Sequence, residues 1–379
     1  MFSQNLAPAT RFRLLKTSAE GLAAMLQAIR AARYSVRLET YIFRDSAVGR
    51  LFVEALVEAR AHGATVQVLV DGFGSLELPD SFWWPLRESG GEVHWFNPVS
   101  LNRWTYRDHR KLLVCDDRVA FLGGFNVADE YDGDGVTTGW RDLGLEVTGP
   151  LAHTLACTFD RMYGLAEFRH RRLQRLRKAF DRVQAQANWR ILCSGPGCRL
   201  GAIKDALGQD LARARHVRIG TAYFLPTRRL RRAFRRVVKR GGRVQLMLTG
   251  RSDVALAQLA SRWLYGGLLR SGVQVFEYQP QMFHAKLIVI DDVIYVGSAN
   301  LDTRSLSINY ELLVRIEDPV LAAEAAVLFD ADLRHCHRIG RRHWLRTRTW
   351  WARLKESWAY VLLAKLDPFL ARHQLKALR

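Results

Sequence analysis

The segment SVRLETYIF, beginning at Ser35, returns in altered form as HVRIGTAYF at His216. GATVQVLVD at Gly63 returns as GGRVQLMLT at Gly241, and HRKLLVCDD at His109 returns as HAKLIVIDD at His284. FLGGFN at Phe121, DLGLEV at Asp142 and Pro150 then correspond to YVGSAN at Tyr295, ELLVRI at Glu311 and Pro319, always in the same order. The offset drifts from 181 to 169 residues, as loops of unequal length produce. Any fold for this chain must contain two similar units, each long enough to bury a core of its own.

Within each copy, short runs rich in β-branched residues alternate with helical stretches. The pattern predicts an α/β fold of two similar halves, each a central mixed sheet flanked by helices, joined as one pseudo-two-fold unit. Thr17-x-x-Glu20 has the form of a capping box opening the first helix, and Phe52 to Ala61 continues a helical pattern after the first strand. The halves are expected at residues 1–165 and 191–333. Between them, 166–190 reads as a basic helical linker, and 334–379 has no counterpart in the repeat.

His-x-Lys-x4-Asp occurs once in each copy, as His109, Lys111 and Asp116, then as His284, Lys286 and Asp291. On a strand, residues i and i+2 point to the same face, so the His and Lys of each copy project together. Two such half-sites facing each other make a pocket holding two imidazoles and two ammonium groups. Its target must be anionic and electrophilic, and a phosphodiester is both. Lysines clamp the nonbridging oxygens, one histidine attacks phosphorus, and the other protonates the departing alcohol.

Asn126, Asn300 and Ser298 lie in the turns GGFN and GSAN and are candidates to donate hydrogen bonds to the phosphate. Asp142 and Glu311 are candidates to accept a histidine ring N–H and so fix its tautomer. The alternative for each is a strand-edge charge paired with an arginine, such as Arg141 beside Asp142. Asp116 and Asp291 complete the motif, although organising the turn after the strand accounts for them better than contact with substrate. The set calls for no metal and no other cofactor, since lysines and asparagines already supply positive charge.

One His-x-Lys-x4-Asp is a weak signal. Two copies at equivalent points of a duplication, each followed by Gly-[Gly/Ser]-x-Asn, form a specific one. The paired motifs resemble the phospholipase D superfamily. ARYSVRLETYIFRDSAVGRLF with VLVDGFGS is similar to bacterial cardiolipin synthases, especially a shorter form without N-terminal membrane helices, and the resemblance covers roughly residues 10 to 335. It implies a bilobal fold, a metal-independent phosphohistidine intermediate, and transfer of a phosphatidyl group to an alcohol. It also implies that His109 is the nucleophile and that His284 is the acid that later becomes the base. Phosphatidylglycerol is then expected as donor and acceptor, two molecules giving cardiolipin plus glycerol. The competing enzyme reading is a phosphodiesterase or nuclease of the same superfamily, hydrolysing lipid or nucleic acid. A noncatalytic membrane- or nucleic-acid-binding module is the reading outside enzymology, and two intact His/Lys pairs argue against it.

Charge narrows the partners. Lys and Arg number 57 against 37 Asp and Glu, an excess of +20 that attracts nucleic acid or anionic membrane. A protein this basic binds DNA regardless, so binding alone does not discriminate, and nucleic acid is not expected as the physiological substrate. No apolar run approaches about 18 residues, so no membrane span is expected. Cys115, Cys157, Cys193, Cys198 and Cys336 follow neither a zinc spacing nor a disulfide framework and read as reduced thiols. His335-Cys336-His337 resembles a metal fragment lacking further ligands and reads as an exposed helix end. The expected location is peripheral, on the cytoplasmic side of the cell membrane.

From Arg334 the tail carries twelve Lys and Arg against two acids, interleaved with Trp344, Trp350, Trp351, Trp358 and Tyr360. It is expected to lie at the surface of an anionic phospholipid membrane; the alternative is a terminal helix docked on the body with a solvated basic face. Arg169 to Lys178 and Arg228 to Arg243 read as helices with arginine stripes, and Trp83 and Trp84 as packed or lipid-inserted, packing being the simpler reading.

Overall fold

The computed structural model describes residues 9–98, 105–166, 185, 186, 188–196, 198, 201–367 and 369. The first sheet has β1 (Arg11–Leu15), β2 (Ser35–Thr40), β3 (Thr65–Asp71), β4 (Glu92–Phe96), β5 (Leu112–Cys115), β6 (Val119–Gly123) and β7 (Gly144–Thr148). Their spatial order is β1-β7-β6-β5-β2-β3-β4. The second sheet has β8 (Ala185–Gln186), β9 (Trp189–Ser194), β10 (His216–Thr221), β11 (Arg243–Thr249), β12 (Gln274–Tyr278), β13 (Leu287–Ile290), β14 (Val293–Gly297), β15 (Glu311–Glu317) and β16 (Cys336–Arg338). Its order is β16-β12-β11-β10-β13-β14-β15-β9-β8.

Without β8 and β16, the second order repeats the first strand for strand. Both sheets are mixed: β2-β3-β4 and β10-β11-β12 run parallel, and the other pairs are antiparallel. Register is conserved between copies as well, Val36 opposing Cys115 as Val217 opposes Ile290. The duplication is therefore one of topology.

The helices are α1 (Ser18–Ala31), α2 (Ala47–Ala61), α3 (Trp84–Glu88), α4 (Pro150–Ala166), α5 (Ala202–Arg213), α6 (Arg228–Lys239), α7 (Ala255–Arg270), α8 (Thr303–Ser307), α9 (Pro319–Asp332), α10 (Arg341–Thr347) and α11 (Trp350–Val361). Thr17 Oγ1 accepts from Glu20 N at 3.2 Å and opens α1. The Glu20 carboxylate returns to Lys16 N at 2.7 Å, one residue earlier than a strict capping box requires. Asp318 caps α9 through Val320 N and Leu321 N, with Pro319 at the first helical position, where a missing N–H costs nothing.

Three apolar cores follow from the two faces of each sheet. Leu22, Phe52, Leu56 and Trp83 pack on the outer face of the first sheet, and Leu211, Phe234, Leu264 and Tyr265 on that of the second. The third core contains strand residues of both sheets together with Leu155 and Phe159 of α4 and Leu321 and Phe329 of α9. Both halves share it, so they are held as one body.

Some expectations change here. β8 and the first two residues of β9 lie within the stretch read as a helical linker, because Trp189 enters the shared core as a strand residue. Most of that linker, including Arg169 to Lys178, lies outside the described residues. His335 is an exposed helix end, closing a 3-10 turn after α9, but Cys336–Arg338 goes on to pair antiparallel with β12. The tail is docked, with Trp344, Tyr360 and Leu363 packed on the outer core of the second half and Ala359 fully buried. The two tandem tryptophans divide: Trp83 is buried 4.6 Å from Phe43, while Trp84 is exposed.

Candidate active site

The strand directions bring the motifs to one edge. β2 to β4 end there, β6 ends there at Gly123, and β5 and β7 begin there, after Lys111 and Asp142; the second sheet does the same with Gly297, Lys286 and Glu311. Two bridges then join the edges across the halves. Asp108 pairs with Tyr310 and Arg141 with Phe283, each residue directly preceding a candidate side chain. His109 N donates to Tyr310 O at 3.0 Å, and His284 N donates to Arg141 O at 2.8 Å.

Each bridge seats a histidine of one half against the carboxylate of the other. His109 Nδ1 lies 3.0 Å from Glu311 Oε2, and His284 Nδ1 lies 2.6 Å from Asp142 Oδ2. Both carboxylates are fully buried. Arg141 does not compete for Asp142, since its guanidinium is held by Asp332 at 2.8 and 2.9 Å. With each Nδ1 engaged, each Nε2 is the nitrogen left for chemistry.

The lysines stand beside their histidines. Lys111 Nζ donates to His109 O at 2.7 Å, and Lys286 Nζ lies 2.9 Å from His284 Nε2 and donates to His284 O. Burial, with the charges of Lys111 and Lys286, holds His109 well below the usual imidazole range. Burial and then Lys286 push His284 down to about 4. Both lysines are lowered, chiefly by burial, Lys111 to about 7 and Lys286 to about 8. Each histidine thus feels the lysine of the opposite half as well as its own, which makes the two half-sites one electrostatic unit.

The carboxylates differ. Burial would raise Asp142, yet Lys286 and His284 outweigh it and hold the group below its ordinary value. Burial pushes Glu311 up to about 8, against the pull of Lys111. Their neighbours differ accordingly: Ser298 Oγ donates to Glu311 Oε2 at 2.5 Å, whereas the equivalent Gly124 leaves space, and a Cβ there would lie 2.3 Å from Asp142 Oδ1.

The remaining sequence candidates fall into two groups. Asn126 and Asn300 follow the turns after β6 and β14, and their side-chain oxygens hold the ends of β2 and β10 and the loops after them: Asn126 Oδ1 accepts from Ile42 N at 3.0 Å, and Asn300 Oδ1 from Thr221 Oγ1 at 3.2 Å. Asn126 Nδ2 donates to Tyr131 OH at 2.7 Å. Asp116 and Asp291 are at the opposite ends of β5 and β13 from the histidines, which corrects their grouping with the catalytic set. Asp116 takes backbone N–H groups of Arg33, Tyr34 and Ser35, and Asp291 those of Arg215 and His216, so both organise turns.

Other neighbours went unread in the sequence. Tyr41 meets the His109 ring edge-on at 5.0 Å, and Lys111 Nζ is 5.1 Å from the Tyr41 ring. Tyr131 and Trp140 each lie 5.4 Å from the His284 ring. Behind His109, the buried Arg110 reaches Glu39 at 3.1 Å, and Asp108 Oδ1 accepts from Arg110 N at 3.2 Å. The second half has Gly220, Phe283 and Ala285 in these places. A Cβ on Gly220 would lie 2.9 Å from the Phe283 ring, so one copy is filled by charge and the other by an aromatic ring. Positions where the repeat breaks were the available signal.

A family model described as "Cardiolipin synthase, PLD-like domain" matches residues 25–162 and 207–333. The major cardiolipin synthase ClsA of Bacillus subtilis (strain 168) is 33% identical over 347 residues, covering 89% of this chain and 72% of that protein. Cardiolipin synthase A of Pseudomonas aeruginosa (strain UCBPP-PA14) is 34% identical over 335 residues, covering 85% of this chain and 66% of that protein. Among solved structures, phosphatidylserine synthase of Haemophilus influenzae Rd KW20 superposes with a TM-score of 0.71 over 95% of this chain and 94% of that one, at 16% identity, a likeness of fold. With both halves matched and the crossed His–carboxylate pairs at their junction, the chain belongs to the cardiolipin synthase family of phospholipase D-like proteins.

Proposed function

We propose that the protein transfers a phosphatidyl group between two phosphatidylglycerol molecules, releasing glycerol and forming cardiolipin. The observation that carries this reading is the crossed pairing of His109 with Glu311 and of His284 with Asp142, which fixes Nδ1 of both imidazoles and leaves the chemistry to Nε2, that of His284 lying 2.9 Å from Lys286 Nζ. Membership in the cardiolipin synthase family supports the choice of lipid.

In the first step His109 Nε2 attacks phosphorus, the N–P bond forms, the bond to the glycerol oxygen breaks, and His284 Nε2 gives that oxygen its proton. In the second step His284 takes the proton from a hydroxyl of the second phosphatidylglycerol, whose oxygen forms the new P–O bond as the N–P bond breaks. Lys111 and Lys286 balance the phosphate charge, with Ser298, Asn126 and Asn300 nearby to hold the turns that shape the anion site.

Asymmetry between the carboxylates supports these roles. An ionised Asp142 against His284 stabilises its imidazolium, which the acid requires. His284 is nevertheless neutral in the empty site, because burial and Lys286 lower it to about 4. An incoming phosphodiester anion offsets the two lysines, so the proton is taken up with substrate.

The test is incubation of purified protein with detergent-dispersed phosphatidylglycerol and mass analysis of products, with acid-quenched reactions searched for a phosphatidyl group on His109. Cardiolipin with equimolar glycerol supports the proposal. Phosphatidic acid alone would make the protein a hydrolase, and cleavage of DNA without lipid turnover would make it a nuclease.

A further inference from the structure

No described helix is long and apolar enough to cross a membrane, yet the described residues expose a cluster of large apolar side chains at the C-terminal end. α11 is seated on the second half by Ala359 and Tyr360, Glu356 pairs with Arg348, and Asp367 holds Arg304 at 2.7 and 2.9 Å. That docking uses one side of the helix. The other side carries Trp351, Leu354, Trp358 and Val361 at spacings of three and four, with Trp350 stacked on Trp351 at 3.7 Å. Trp350, Trp351 and Trp358 are 63%, 57% and 63% exposed. A surface helix normally spends its apolar residues on the core, so an outward aromatic stripe of this size marks an interaction surface.

Charge identifies the partner. Arg353 and Lys355 border the stripe and are exposed, and the one acid of α11, Glu356, is buried. α6 lies alongside, Arg231 Nη2 reaching Tyr360 OH at 3.4 Å. It is anchored by Leu230, Phe234 and Val237 and turns Arg228, Arg229, Arg232, Arg235, Arg236 and Lys239 to solvent, with no acid among its residues. Tryptophans bordered by arginines suit a headgroup layer, which takes the indoles at its apolar boundary and the guanidiniums at its phosphates. Duplex nucleic acid would engage the arginines but offers nothing for Leu354 and Val361.

Position adds a further argument. Arg304, which holds Asp367 at the end of the tail, places Nη1 3.5 Å from Thr105 O of the first half. Nearby Arg107 lies over the ring of Phe73, in the loop after β3. Phe73 and Leu76 of that loop are exposed and stand on the site side of the sheet, where Gly74 abuts Tyr41. The end of the tail therefore lies toward the edge that carries the histidines, which a lipid phosphodiester has to reach.

We infer that the outward face of α11, with the neighbouring arginines of α6, is the surface by which this protein docks on an anionic bilayer. The inference takes its purpose from the phosphatidyl-transfer reading, and its test separates the two. Full-length protein, a W351S/L354S/W358S variant and an R232Q/R235Q/R236Q variant are co-sedimented with vesicles of phosphatidylglycerol and phosphatidylcholine over a range of salt. Each is also assayed on detergent-dispersed phosphatidylglycerol.

The aromatic variant is expected to bind vesicles at least tenfold more weakly at every salt concentration, since buried apolar surface is not screened. The arginine variant is expected to lose binding at low salt, by up to roughly fivefold per residue, and to match the parent at high salt. Turnover of dispersed lipid is expected to be unchanged in both, which also shows that they fold. Parental vesicle binding by both variants would overturn the inference, as would a change in self-association or DNA binding with vesicle binding intact. Failure of the parent on dispersed lipid would reject the transfer reading and leave the vesicle result standing.

Discussion

His109 and Glu311 are 202 residues apart in the chain and meet at 3.0 Å across the junction of the two halves. His284 and Asp142 repeat the relationship in reverse at 2.6 Å. Neither motif histidine meets a carboxylate of its own half, so the interface between halves is part of the catalytic constellation. Two backbone bridges fix it, at Asp108–Tyr310 and Arg141–Phe283.

Histidine roles can be separated by leaving-group chemistry. With phosphatidylglycerol, His109→Ala and His284→Ala are each expected to lose activity by orders of magnitude, and the double variant little more, because the two act as a unit. A nitrophenyl phosphodiester needs no proton on its leaving group. On that substrate His284→Ala and Asp142→Asn should recover the roughly 10²–10⁴-fold that a general acid contributes, as a burst of nitrophenol, and His109→Ala should not. A burst from His109→Ala alone would exchange the roles.

The pH dependence should divide between kcat and KM. Glu311, raised to about 8 by burial, must ionise to accept the His109 Nδ1–H and leave a lone pair on Nε2, so kcat is expected to climb as pH rises toward that value. Lys111 and Lys286, lowered by burial to about 7 and 8, lose charge in the same direction and loosen their hold on phosphate. KM should therefore rise on the alkaline side, displaced upward by the anionic substrate. Glu311→Gln should be slow and lack the acid limb; a parental kcat with no rising limb on the acid side would contradict this account.

Gly124 and Ser298 occupy the same place in the two copies and are not interchangeable. A Cβ at Gly124 would come 2.3 Å from Asp142 Oδ1 and push the carboxylate off His284, so Gly124→Ala should cost about as much activity as Asp142→Asn with little change in melting temperature. Ser298→Gly removes the hydroxyl that favours ionised Glu311, and its acid limb should move to higher pH. Equal and mild effects of both substitutions, read from full pH–rate profiles, would show that the difference between the carboxylates is incidental.

Much of this site was legible from the repeat, since two aligned copies single out His109, Lys111, His284, Lys286, Asp142 and Glu311 as equivalent polar positions in apolar surroundings. Alignment of a copy with itself cannot say whether a carboxylate serves its own half or the other, because that depends on how two sheets pack. The turn role of Asp116 and Asp291 was readable from two successive acids after a strand, a position where the chain bends with positive φ, as it does at Asp116, Asp117 and Asp291. β16 was hidden because three residues paired with β12 carry no periodicity of their own, and the docked tail because tryptophans for a core and for a lipid surface look alike in sequence.

Glu39, Asp108 and Arg110 place two carboxyls and one guanidinium in a buried space behind His109. Burial raises both carboxyls against the pull of Arg110, and the charge of Glu39 raises Asp108 further, so one proton held by the pair would leave a single negative charge for Arg110. Glu39→Gln or Asp108→Asn alone should then be tolerated, since each amide replaces a group that can be neutral. The double variant strands Arg110 and should lose roughly 3–5 kcal/mol of unfolding free energy in urea titrations. A large loss in either single variant would mean that both carboxyls are ionised.

Removal of the tail should resemble a core mutation, in contrast to substitutions on its outward face. Ala359 is buried in the outer core of the second half, Trp344 packs 5.1 Å from Tyr265, and Tyr360 and Leu363 cover the same cluster. Buried side chains of this size are each worth about 1.5–3 kcal/mol when fully covered, and these are partly covered, so deletion of residues 340–379 should cost several kcal/mol and expose an apolar patch beside α7. Deletion also frees Arg304 from Asp367 next to the loop containing Thr105. The truncated protein is therefore expected to melt at lower temperature, to aggregate more readily, and to lose turnover of detergent-dispersed phosphatidylglycerol as well as of vesicles. Calorimetry and the two activity assays on one preparation decide the matter: a truncated protein that melts like the parent and turns over dispersed lipid at the parental rate would mean that α11 contributes nothing to the fold.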